Sequence, residues 1–177
     1  MHGRNYGPGV SRPSLPFDLI AEARRQWVSH GWAGAADGMA VVTSVMRVQQ
    51  LLLGELDDVL RPFGLTFARY EVLMLLHFSR QGELPLGKIG GRLQVAPGAV
   101  TNAVDRLEDD GLVRRQPHPT DGRTTLAAIT ARGRSRALTA TEQLNAVFAD
   151  LTLTTTEQHR LVSLLGRLRA GGGDSVA

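Results

Sequence analysis

Between Arg92 and Arg123 the chain carries polar and basic side chains spaced for contact with a nucleic-acid duplex. From Pro97 onward, Val100, Val104 and Leu107 recur at helical spacing and mark one apolar side. The other side offers Gly98, Ala99, Thr101, Asn102, Asp105 and Arg106, all small or hydrogen-bonding. A helix with such a face can enter a major groove and reach base edges. Gly98 and Ala99 permit close approach, Thr101 and Asn102 can bond bases or phosphates, and Arg106 can do either. Arg106 also stands four residues before Asp110, so an ion pair within the helix competes for it. Further on, Asp121-Gly122-Arg123 sets an arginine at a turn, where it can reach a narrow minor groove with its deep negative potential. Asp121 is expected to hold the shape of that turn. Arg92 and Arg115 are candidates for phosphate contact. The acidic run Glu108-Asp109-Asp110 ends the helix and is expected to turn away from DNA.

The surrounding sequence supplies the elements that hold these groups. Pro97 is pre-organised for a first helical position, and Gly111 suits the left-handed residue that closes a helix. A shorter helix is expected before it, from about Gly87 to Leu93, with Ile89 and Leu93 on one face. Leu112 to Gln116 and Thr124 to Ile129 read as strands, and Asp121-Gly122 is a hairpin turn signal between them. Helix, turn, helix and β-hairpin in that order describe a winged helix-turn-helix. The fold class expected is mainly α with a small β-hairpin wing, joined to a helical dimerisation region.

The segments Val95-Ala96-Pro97-Gly98-Ala99-Val100-Thr101 and Asp121-Gly122-Arg123 resemble those of the MarR transcriptional regulators. Ile129-Thr130-Ala131-Arg132-Gly133 is similar to the LTxxG ending of that family, and the resemblance covers residues 37 to 170. It implies a homodimer on a palindromic operator, usually a repressor, released by a small aromatic or phenolic molecule held between the dimer helices and the winged domain. Trp27, Met46, Tyr70, Glu71, Met74 and His77 suit such a crevice, with Arg47 as an anion partner. Ordinary core packing is the competing account of the same stripe. A urate-sensing subgroup has an added helix with a tryptophan, an acid and an arginine acting together. Trp27 and Glu71 match the first two, whereas Ala103 stands where the arginine would be, so urate does not follow.

Bulk properties narrow the classes. The formal net charge is +3 and the sequence pI about 10.1, with almost all basic residues arginine, many in or just after the motif. No cysteine is present, which excludes disulfides, thiolate zinc sites and the peroxide-sensing branch of the family. His2, His30, His77, His118 and His159 show no ligand spacing, so neither a metal nor a cofactor is expected. No phosphate loop, serine elbow or paired-histidine motif suggests an enzyme; Gly87-x-x-Gly90-Gly91 falls inside the helix-turn-helix. Without a membrane-length apolar run or a signal segment, the expected location is cytoplasmic.

In chain order, residues 1–14 are expected to be a disordered arm, with Arg4 and Arg12 as backbone contacts if it touches DNA. Residues 15–34 form an added helix capped by Asp18 and broken by Gly31 and Gly34. There Trp27 and Trp32 either clamp a dimer or roof a ligand cavity. Residues 35–64 are a dimerisation helix, 65–130 the DNA-binding domain, 131–170 the C-terminal dimerisation helices and 171–177 a flexible tail. Met39, Val42, Met46, Leu53, Leu56, Leu60 and Phe63 make a seam longer than one small domain needs. Leu138, Thr141, Leu144, Val147, Phe148 and Leu151 mark a second stripe, and Thr154-x-x-Glu157 a capping box before Leu161, Leu164, Leu165 and Leu168. The partners expected are double-stranded DNA, a second copy of the chain and a small effector. The alternative is a winged helix acting through non-specific DNA binding or protein contacts.

Overall fold

The computed structural model describes residues 16–175. The arm expected over residues 1–14, with Arg4 and Arg12, lies outside them. Helix α1 spans Leu19–Ser29, and the Asp18 carboxylate accepts the N–H groups of Ile20 (2.8 Å) and Ala21 (3.2 Å). Gly31 breaks the chain at φ +85°, and α2 then runs from Ala33 to Leu60. The expected break at Gly34 is therefore wrong: one glycine in a left-handed conformation suffices to turn the chain, and Gly34 is absorbed into the first turn of α2. An Arg24–Asp37 ion pair of 2.6 Å and an edge-on Trp27–Trp32 contact, centroids 5.3 Å apart, fasten α1 to the start of α2.

A 3₁₀ turn over Arg61–Phe63 and Gly64 at φ +67° end α2. The Asp57 carboxylate accepts the N–H of Phe67 at 2.6 Å, and Thr66 Oγ1 that of Arg69 at 3.4 Å. Two of the orphan N–H groups that open α3 (Phe67–Phe78) are thereby satisfied, one of them from α2. Strand β1 (Glu83–Pro85) leads into α4 (Leu86–Leu93), α5 (Pro97–Asp109), β2 (Val113–Pro117) and β3 (Thr125–Ile129).

The sheet has the order β1-β3-β2, antiparallel throughout, with Leu84 opposite Ala127 and Arg115 opposite the same residue on the other side. The wing is thus not an isolated hairpin: β1, which no sequence pattern announces, covers the far edge of β3. The core of this region is made of Val72, Leu73 and Leu76 from α3, Ile89, Val100, Val104 and Leu107 from the two short helices, and Leu112, Val113, Leu126 and Ala127 around the sheet. Removal of that much apolar surface from water is what holds the wing and the short helices together, since none is stable alone.

Helix α6 covers Ala131–Ala149 and α7 Thr155–Gly171. The chain divides into two compact units, the first ending at Thr141 and the second beginning at Glu142. On the first part of α6 the small residues Ala137 and Ala140 are buried while Leu138 is exposed, which corrects the expected stripe at Leu138; Leu144 of that stripe is buried. In the second unit, Thr154 and Glu157 form the reciprocal capping box, the Glu157 carboxylate taking the Thr154 N–H at 2.8 Å. Leu161, Val162, Leu164 and Leu168 of α7 are exposed. The expected tail begins tied back: Arg169 donates to the Asp174 carboxylate at 3.0 Å. On α2, Leu56 and Leu60 are buried, but Val41, Val42, Val45, Met46 and Val48 lie bare to solvent. No helix among the described residues is long and apolar enough to cross a membrane.

Candidate nucleic-acid interface

Helices α4 and α5 meet at Gly90, where an added Cβ would stand 3.3 Å from Val100 Cγ2 and 3.4 Å from the Val95 carbonyl oxygen. The turn between them is made by Gln94 in the left-handed region at φ +54°, with Val95 N–H bonded to the Gly90 carbonyl at 3.2 Å. Ala96 precedes Pro97 and caps α5 through its carbonyl alone, which accepts the Ala99 N–H at 2.9 Å and the Val100 N–H at 3.4 Å. Val100, Val104 and Leu107 are buried, and Gly98, Ala99, Thr101, Asn102 and Arg106 are exposed. The Thr101 hydroxyl donates to the Pro97 carbonyl at 3.1 Å, which leaves its oxygen as an acceptor.

The competing ion pair for Arg106 is not formed. Asp110 instead accepts from Arg69 of α3 at 3.5 Å, and Arg106 has no ion-pair partner among the described residues. Arg92 and Arg123 are exposed and likewise unpaired among the described residues. At the wing tip the Asp121 carboxylate accepts the Thr124 hydroxyl at 2.7 Å and the Arg123 N–H at 3.0 Å, and these two bonds lower its pKa below the usual carboxylate value. The turn runs from Asp121 to Thr124, closed by the Thr124 N–H on the Asp121 carbonyl at 3.0 Å. Gly122 and Arg123 are its central residues, and Gly122 is not at positive φ. The Asp121-Gly122 signal thus marks the first half of the turn, whose centre is Gly122-Arg123.

Arg115, expected at a phosphate, is engaged by carboxylates of its own chain. Its guanidinium lies 2.6 Å from Asp105 and 2.8 Å from Glu108, with its side chain one-quarter exposed. The Arg115 N–H and guanidinium together hold Glu108 below its ordinary pKa. The wing also leans on the start of α6. Thr130 Oγ1 accepts the Gly133 N–H at 2.9 Å, Thr130 N–H donates to the Leu112 carbonyl at 3.0 Å, and a Cβ on Gly133 would stand 2.0 Å from that carbonyl oxygen.

Known proteins share this arrangement. A family model described as the MarR family matches residues 65–125. The solved structure of Sco5413, a MarR family transcriptional regulator from Streptomyces coelicolor, is 49% identical, covering 80% of this chain and 99% of that one at a TM-score of 0.73. The chain belongs to the MarR family. The HTH-type transcriptional repressor Rv2887 of Mycobacterium tuberculosis is 31% identical over 137 residues, 76% of this chain and 97% of that protein. The regulator MhqR of Bacillus subtilis is 41% identical over 70 residues, 40% of this chain, and the match spans only 47% of MhqR. Sco3205, a MarR family regulator from Streptomyces coelicolor solved in complex with DNA, is 29% identical with a TM-score of 0.69, covering 76% of this chain and 90% of that one. These MarR relatives are transcriptional regulators, not enzymes.

The residues expected to form a MarR effector crevice are distributed over α1, α2 and α3. Tyr70 is buried, with its hydroxyl 3.0 Å from Thr141 Oγ1, which also lies 3.6 Å from Met74 Sδ. His77 Nδ1 accepts from Arg134 at 2.5 Å. Trp27 and Arg47 are half-buried and Met46 is exposed. Thr141 and Arg134 thus draw Tyr70, Met74 and His77 into the packing between α3 and α6, in line with the competing account of core packing. A cavity of about 380 Å³ lies elsewhere, between α4 and α5, and none of these seven residues lines it.

Glu71 alone keeps a chemical reason for interest. It is half-buried, has no hydrogen-bond or ion-pair partner among the described residues, and burial raises its pKa. A carboxyl whose folded pKa lies above its unfolded value lowers stability when ionised, and that cost disappears as pH falls below the unfolded value. Glu71→Gln is therefore expected to raise the melting temperature at pH 7, by less than about 1 kcal/mol in stability because solvent still screens the group. The gain should vanish near pH 3. Thermal unfolding at both pH values checks this, and a loss of stability at pH 7 would show that Glu71 has a partner in solution.

Proposed function

We propose that this chain is a sequence-specific DNA-binding regulator that acts as a homodimer on a palindromic operator. The observation that carries the reading is the division among its arginines. Arg69 and Arg115 are engaged by carboxylates, whereas Arg92, Arg106 and Arg123, on α4, α5 and the wing tip, are exposed and unpaired among the described residues. Unpaired arginines at these positions are what contact to phosphates and groove edges requires. The DNA complex of Sco3205 supports the same use of the fold. The bare apolar residues of α2 and α7 are each available to a partner copy, and a two-fold dimer would set two recognition helices about 34–36 Å apart, one turn of duplex. Arg92 is assigned to phosphate, Gly98, Ala99, Thr101, Asn102 and Arg106 to the major groove, and Arg123 to the minor groove, with Asp121 holding the wing tip.

The regulator is proposed to act as a repressor in the cytoplasm, a role supported by the repressor name of Rv2887. A small aromatic or phenolic effector is proposed, with Trp27, Met46, Arg47, Tyr70, Glu71, Met74 and His77 as its candidate contacts. Such a compound acts only if it binds the DNA-incompetent form better than the competent one.

The test is a salt-titrated comparison of a duplex selected by the protein from a random-sequence library with an unselected duplex, beside sedimentation of the free protein. A preference of about 10³-fold or more and a dimer at micromolar concentration are expected. Equal affinities would favour a packaging role and overturn this reading. If a panel of phenolic acids never changes affinity for the selected duplex, the effector is struck from it.

A further inference from the structure

Arg115 stands on β2, yet its side chain runs along α5. One guanidinium nitrogen reaches Asp105 and Glu108, and the other lies 3.5 Å from the Thr101 carbonyl oxygen. The Glu108 carboxylate also accepts the Arg115 N–H at 2.8 Å, so it binds both the backbone and the side chain of the strand. Thr101, Asp105 and Glu108 follow one another at spacings of four and three, which places them on one stripe of the helix. That stripe flanks the buried side of Val100, Val104 and Leu107. The exposed face carrying Gly98, Asn102 and Arg106 is centred elsewhere on the helix.

A phosphate approaching Arg115 would meet two carboxylates already in place, and their charge opposes it. The guanidinium instead joins two parts that must address one duplex together: the reading face of α5 and, through β2, the wing tip with Arg123. If the strand were free to swing, each part could still find DNA by itself. Only their fixed separation makes both fit one site. We propose that Arg115, held by Asp105 and Glu108, is a positioning residue that sets operator specificity without touching DNA. The proposal rests on the reading of α5 and the wing as the DNA-binding surface.

The two roles for Arg115 predict different outcomes. With Asp105→Asn/Glu108→Gln, loss of the lock should cut the preference for the selected over the unselected duplex about tenfold, with the salt dependence retained, beyond the uniform rise in affinity that lost negative charge brings to both. If Arg115 is a phosphate ligand, the same change frees it and removes negative charge. Affinity for both duplexes then rises with the preference kept, and the salt dependence steepens by about 0.9 per phosphate gained, which overturns the proposal. An unchanged preference without that steepening overturns it too. Should the double variant fail to fold by circular dichroism, Glu108→Gln alone is measured against the same outcomes. Wild-type protein that shows no preference for the selected duplex sinks the regulatory reading itself, and that result is distinct because it precedes any variant.

Discussion

Arg123→Ala is expected to weaken binding to the selected duplex about a hundredfold, on the basis of one groove contact of about 1–3 kcal/mol in each half of the dimer. The expectation follows from what Arg123 does in the free protein. Its side chain is exposed and has no ion-pair partner among the described residues, and the turn is held by its N–H and by Thr124 through Asp121. Alanine retains that N–H, so the wing keeps its shape and loses only its charge. Sedimentation and thermal unfolding should therefore match the wild type while a mobility-shift assay at moderate salt shows the loss. Unchanged affinity there would remove the wing from the binding surface.

Gly133→Ala should act on the fold instead. Its Cβ would lie 2.0 Å from the Leu112 carbonyl oxygen and 2.9 Å from the carbonyl carbon. These are backbone atoms, and the same oxygen accepts the Thr130 N–H, so it cannot rotate aside without breaking the joint between β2 and α6. A loss of about 3 kcal/mol is expected, in the range of overpacked or strained backbone positions. For a chain of this length that corresponds to a melting temperature lower by roughly 6–12 °C. Gly98→Ala is the contrasting control, because nothing among the described residues lies within 4 Å of its added Cβ. It should melt like the wild type and, if α5 is the proposed reading helix, bind DNA less well. If Gly133→Ala melts normally, the start of α6 is looser than the geometry requires.

What the sequence made legible was local. Both ends of α5 followed from Pro97 and from Gly111, which does adopt φ +67°, and the box of Thr154 and Glu157 marked the start of α7. Such signals need only a few adjacent residues. The pairings that set the interface cross longer stretches of chain and leave no periodic trace. Strand β1 is only Glu83–Pro85, too short to alternate visibly, and its existence depends on β3 more than forty residues later in the chain. Arg115 read as an exposed basic residue because its partners sit on the preceding helix, and only the fold around Gly111 brings them opposite. On α6 the bulky stripe misled at Leu138, which stays outside while its neighbour Ala137 and Ala140 are buried, whereas Leu144 of the same stripe is buried as expected.

The uncovered valines and Met46 of α2 carry a thermodynamic consequence. If a second chain covers them, unfolding releases two molecules from one, and mass action makes heat resistance climb with protein concentration. Abundance in the cell then governs two quantities at once: how many intact regulators exist, and how often an operator finds one.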